Sequence, residues 1–189
     1  GGCIYYKGKK IDLNDCFFNE SQCIKENDDQ LQSRGGAIFL RISEESTISS
    51  SSFHLDRAKT SGGALFIAYN QEGSSKLCHI NHCSFYSCSS QSEGGAIMSG
   101  FYPLDGEQKY GNTNIEGCNF YQCQSARGGA LYFQDGTKDG NEETRIISCL
   151  FDDCYASGSE HEGYSIYCRS YSIYVDNCTF VHHKQGTGV

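Results

Sequence analysis

Two short motifs alternate along the whole chain, and their alternation narrows the folds open to it more than any other feature. The first reads Gly35-Gly36-Ala37-Ile38-Phe39-Leu40, then Gly62-Gly63-Ala64-Leu65-Phe66-Ile67, Gly94-Gly95-Ala96-Ile97-Met98-Ser99 and Gly128-Gly129-Ala130-Leu131-Tyr132-Phe133. Degenerate copies stand at Gly1-Gly2-Cys3-Ile4-Tyr5-Tyr6 and Gly163-Tyr164-Ser165-Ile166-Tyr167-Cys168. The second motif is aliphatic-x-x-Cys-x-Phe-x-x-Cys, clearest at Ile80/Cys83/Phe85/Cys88, Ile115/Cys118/Phe120/Cys123 and Ile146/Cys149/Phe151/Cys154. Weaker copies are Leu13/Cys16/Phe18/Ser21, Ile48/Ser51/Phe53/Asp56 and Val175/Cys178/Phe180/His183.

Apolar residues two or four apart in strand-length runs have the period of a β-strand, not of a helix. Successive copies begin 27 to 35 residues apart, the period of a solenoid in which each coil pairs only with its neighbours. Between the motifs the connection varies from 6 to 15 residues, while the motifs keep their length. Constant strands and variable turns are what a stack requires, since strands must align and turns project into solvent. The expectation is an all-β, right-handed parallel β-helix of about five to six coils, with residues 1–189 as a single segment. Neither end carries a polar capping repeat, so the segment is expected to belong to a longer chain or to have its ends covered by a partner.

The repeats resemble that of the chlamydial polymorphic outer membrane proteins, with its Gly-Gly-Ala-Ile and Phe-x-x-Asn signatures, and are similar to repeats of trichomonad surface proteins. The resemblance spans nearly the whole chain and implies a surface-exposed, adhesin-like β-helix without naming a ligand. One column departs from it: Cys88, Cys123 and Cys154 stand where the chlamydial repeat has Asn. A thiol is a weaker donor and acceptor than an amide, so these corners are expected to rest on packing or on sulfur chemistry.

A formal net charge of -8 argues against a nucleic-acid partner, which would need clustered Lys and Arg; Lys7, Lys9 and Lys10 read as a solvated turn. The longest apolar run, Ala64 to Tyr69, is far below a membrane span. No secretion signal opens the sequence, and the compartment, extracellular or cell surface, is inferred from the resemblance.

Stacking places Cys83, Cys118, Cys149 and Cys178 in one column, reached by Cys16 past Ser51, and Cys88, Cys123 and Cys154 in another. Neighbouring strands bring such Cα atoms within disulfide range, but parallel side chains leave the Cβ atoms farther apart than a relaxed bond prefers. Both buried free thiols and scattered disulfides therefore stay open. A spacing of five between cysteines does not fit a zinc knuckle, and no cofactor is expected; His82, His182 and His183 read as outward corner residues.

Two candidate surfaces emerge. If the Ile or Leu of the first motif points inward, Tyr5, Phe39, Phe66, Met98, Tyr132 and Tyr167 form an exposed partner stripe; with reversed parity the same residues fill the core. The long turns Ala68 to His79, Gly100 to Asn114 and Gln134 to Arg145 leave one corner and would cluster for recognition. Asp135, Asp139 and Gly140 partly match a calcium loop, but Ile146 stands where the bidentate Glu belongs. Asn19 and Asn177 begin glycosylation sequons.

Glycan-cleaving β-helices converge carboxylates on one strand face, whereas the variable strand positions here are small, aliphatic, aromatic or Cys, and Asp152-Asp153 falls in a corner expected to be solvated. The reading that follows is a non-enzymatic adhesin or interaction scaffold with a protein or glycan partner. The alternatives are a stacking subunit of a filament, pairing end to end with copies of itself, and, more remotely, a carbohydrate-active enzyme.

Overall fold

The structure, a computed structural model, describes residues 1–24, 33–69, 77–100, 111–134, 143–158, 163–169 and 172–182. Among these there is no helix; all strands pair in parallel with their counterparts one repeat away, giving three six-stranded sheets and one five-stranded sheet. One winding runs through Leu65–Tyr69 in the first sheet, Leu77–Asn81 in the second, Ser84–Tyr86 in the third and Ser89–Ser90 in the fourth. This is a parallel β-solenoid, as the repeat predicts.

The expected coil count needs correction. The solenoid has about four full turns, not five to six. Strands from Ile38–Ile42 to Leu150–Asp152 are covered on both sides, whereas the outermost rows have a neighbour on one side only and leave Tyr5, Phe17, Tyr174 and Phe180 exposed.

Register places like on like. Ile38, Leu65, Ile97 and Leu131 stack on the inner face of the first sheet, and Ile48, Ile80, Ile115 and Ile146 on that of the second. On the third sheet Phe18, Phe53, Phe85, Phe120, Phe151 and Phe180 form an unbroken ladder, the rings 4.8 to 4.9 Å apart. That distance is the strand spacing itself, so stacking of the rings and main-chain pairing reinforce one another. The fourth sheet turns small residues inward, Ala58, Ser90, Ser125 and Ala156, because its strands run close to the start of the first.

The paired glycines answer to two separate constraints. Gly62 lies at φ +65, the left-handed conformation that turns the fourth sheet into the first. Gly63 is not left-handed, but a Cβ there would collide with the carbonyl oxygen of Gly95 and lie 2.5 Å from the Ser89 nitrogen. The first glycine is needed for its backbone angle and the second for the approach of three main chains.

The two corners around the third sheet are sharp for another reason. Each has one left-handed residue just before the column residue: His82 (φ 53) before Cys83 and Ser87 (φ 51) before Cys88, with the pattern repeated in every coil. A single such residue reverses the side-chain parity and bends the strand through the corner.

Candidate interaction surface

All twelve cysteines are free thiols, and eight of them stand at those corners. The interior members of both columns are buried, and each donates to two carbonyls: that of the residue two before it, and that of the inward aliphatic or Phe one coil earlier. Thus Cys118 Sγ lies 3.4 Å from Glu116 O and 3.4 Å from Ile80 O, and Cys123 Sγ lies 3.6 Å from Tyr121 O and 3.7 Å from Phe85 O. The sulfur also accepts, since the Cys83 backbone N–H donates to Cys118 Sγ at 3.3 Å. The thiol therefore does at the corner what a stacked amide would do, with longer and weaker bonds. Burial pushes the Cys118 and Cys123 thiols well above the ordinary value, which keeps them protonated and donating.

The second coil fills the same columns with oxygen. Ser51 Oγ donates to Ser49 O at 2.7 Å and accepts from the Cys16 N–H at 3.1 Å. Asp56 Oδ1 accepts from the Ser21 N–H at 2.8 Å, while its buried Oδ2 has no hydrogen-bond partner. Loss of water raises the Asp56 carboxyl from 3.8 to about 6. The interior members of these columns hold the corners and are buried away from solvent.

The aromatic stripe of the first sheet departs from both readings open to the sequence. Tyr5, Phe39, Phe66, Met98, Tyr132 and Tyr167 do point away from the main core, since their neighbours Ile38, Leu65, Ile97 and Leu131 point into it. Yet Phe39, Phe66, Met98 and Tyr132 are at most 3% exposed and form a second small apolar cluster, with Tyr167 packed against it. Arg34 lies over Phe66 at 4.9 Å, and Arg127 over Tyr132 at 5.8 Å, with Arg127 tied to Glu93 at 2.8 Å and Glu93 to Ser61 at 3.0 Å. These side chains come from the turn just before the paired glycines, whose sequence, Arg34-Gly35-Gly36 and Arg127-Gly128-Gly129, carried the signal. Tyr5 is exposed and Tyr167 partly buried at the two outermost rows, while the four members between them are covered and not a free partner surface.

The exposed aromatic face is elsewhere, on the outside of the third sheet. Phe17 packs against His54 at 5.1 Å, His54 against Tyr86 at 4.5 Å, and Tyr86 stacks on Tyr121 at 4.9 Å. Phe17 and Tyr86 are among the most exposed large apolar residues, and Asn19 is exposed in the same outward row as His54. The sequence signal was present: the residue after each inward Phe must point out, and it reads Asn19, His54, Tyr86, Tyr121, Asp152.

The row changes character at Asp152, the register partner of Tyr121. Asp152 Oδ1 lies 2.8 Å from His182 Nδ1, and Gln122 Nε2 donates to Asp153 Oδ2 at 3.5 Å. Tyr86, Tyr121, Gln122, Asp152, Asp153 and His182 line an open pocket of about 390 Å³. Asp152 and Asp153 are half-buried, not fully solvated as expected, because the next coil covers them with His182. His82 and His182 are exposed corner residues, as predicted.

Asn19 and Asn177 are both exposed, Asn177 at a corner where its amide donates to Ser148 Oγ at 3.0 Å. The partial calcium loop at Asp135, Asp139 and Gly140, most of the three long turns, and His183 lie outside the described residues. Among the described residues no helix is long and apolar enough to cross a membrane. The chain matches no family model, no curated protein and no solved structure.

Proposed function

We propose that this chain is a non-enzymatic β-solenoid of the extracellular or cell-surface space, acting as an adhesin or protein-interaction scaffold. The observation that carries the reading is the register row His54, Tyr86 and Tyr121, flanked by Phe17, an outward aromatic surface on a sheet whose inner face is locked by the Phe stack. Rigid aromatic side chains held in register lose little entropy when a partner covers them, which suits them to recognition. The similarity of the repeats to those of chlamydial and trichomonad surface proteins supports the same reading.

Two measurements test it. Antibody raised against the chain should stain intact source cells, and staining seen only after permeabilisation would overturn the surface assignment. Beads coated with the chain should adhere to target cells or matrix, with adhesion lost in the double variant Tyr86→Ser/Tyr121→Ser while its circular dichroism at the assay temperature stays that of the folded protein. Adhesion unaffected by that variant would refute the role of the ladder.

A further inference from the structure

We propose that the notch between Tyr121 and His182 binds a cationic side chain, an Arg or Lys presented by a protein partner. The inference rests on the interaction-surface reading above and names the chemistry of one site on it.

Tyr121 has different neighbours on its two ring faces. On one side Tyr86 stacks on it at 4.9 Å; on the other the register partner is Asp152, and among the described residues no ring stacks there. An Asp side chain ends well short of the tip of a Tyr, so the outer half of that second face is left uncovered by its own column. The face of a phenol ring carries the negative part of its quadrupole, and a cation seated there is attracted to it. At the floor of the same notch is the Asp152 carboxylate, which meets His182 through Oδ1 alone. A carboxylate accepts at several lone pairs, so one hydrogen bond leaves it able to take a guanidinium or ammonium donor.

The rest of the lining points the same way. Asp153 adds a second carboxylate and Gln122 an amide, and the described lining contains no Lys or Arg. A partner bringing positive charge would meet the Asp152 carboxylate and a π-face at once, and a chain with net charge -8 steers such a partner toward itself. The pocket of about 390 Å³ is open, the size for a side-chain head and not for a folded element. His182 closes the notch from the next coil and holds Asp152 in position.

The test is an NMR titration of the whole chain with the blocked tripeptide Gly-Arg-Gly, set against the same peptide carrying citrulline, the neutral isostere of Arg. Saturable shifts should centre on Tyr121, Gln122, Asp152 and Asp153, with citrulline binding about tenfold weaker or more. Tyr121→Leu and Asp152→Asn should each weaken Arg binding about fivefold to tenfold, the size expected for a cation–π contact and a charged hydrogen bond. Tyr121→Phe, which keeps the ring face and the stack, should retain it, and this variant separates loss of the site from loss of the fold. Equal binding of the Arg and citrulline peptides, shifts on another face, or indifference to Asp152→Asn would overturn the proposal. So would a neutral oligosaccharide, maltotriose, moving the same resonances where the Arg peptide does not. Bead adhesion that still depends on Tyr86 and Tyr121 in any of those cases would leave the interaction-surface reading standing.

Discussion

Replacing Asp56 by Asn should stabilise the protein at neutral pH and do little at pH 4 or below. The carboxyl stands in the corner column that Cys88, Cys123 and Cys154 occupy in later coils, fully buried, with one oxygen on the Ser21 N–H at 2.8 Å and the other without a partner. Burial holds it at about 6 when folded, against an ordinary value of 3.8. The folded state therefore binds the proton more tightly than the unfolded one, and stability falls as pH rises from about 3.8 to about 6. At about 1.4 kcal/mol per tenfold change in proton affinity, the loss is complete above that window and amounts to about 3 kcal/mol. Asn keeps the acceptor for Ser21 and places a neutral donor near the carbonyls that the thiols reach in the neighbouring coils. The variant should melt about 6 to 12 °C above the parent at pH 7.5, and the difference should shrink toward zero at pH 4. Urea denaturation followed by circular dichroism at pH 4, 5, 6 and 7.5 measures it. A gain that is the same at pH 4 as at pH 7.5, or a variant less stable at pH 7.5, would refute the reasoning.

Gly63→Ala should cost more than 3 kcal/mol or abolish folding, because the added carbon meets main-chain atoms of Gly95 and Ser89 that belong to two sheets; thermal unfolding checks this. Leu55, exposed and at φ 55, should be replaced by Gly with a gain of about 1 kcal/mol, read from the urea midpoint, since the left-handed conformation costs a side chain about that much. Iodoacetamide followed by mass spectrometry should modify exposed Cys3 in the native protein while Cys78, Cys83, Cys88, Cys118, Cys123, Cys149 and Cys154 react only after denaturation. Rapid native labelling of Cys118 or Cys123 would contradict their burial and raised pKa.

The solenoid was legible because a repeat repeats its reasons. Each Phe of the second motif must find the next at one strand spacing, and each Gly-Gly must pass between the same two main chains. Any single copy is ambiguous, but their recurrence in fixed order is not. The thiol columns were legible for the same reason: register alone stacks Cys83 on Cys118 and Cys149. What Cys donates to was not legible, since the carbonyls involved belong to the coil before and are brought within reach only by the corner. The weaker copies, Ser51 and Asp56, looked like decay of the motif and prove to hold the same hydrogen-bonding slot with oxygen.

The sequence by itself determined which residues lie over one another and which of them share a side of a strand, because parallel register and the two-residue alternation of a strand follow from spacing, but it left open which side of the first sheet faces the core. Only the tertiary structure decided which outward faces meet water. Phe66 and Tyr86 both point away from the core, but Arg34 comes from a turn distant in sequence to lie over Phe66, and Tyr86 stays more than a third exposed beside Tyr121. Orientation is a property of the local backbone; cover depends on which side chains the neighbouring coils bring over a face, as Arg34 of one coil is brought over Phe66 of the next.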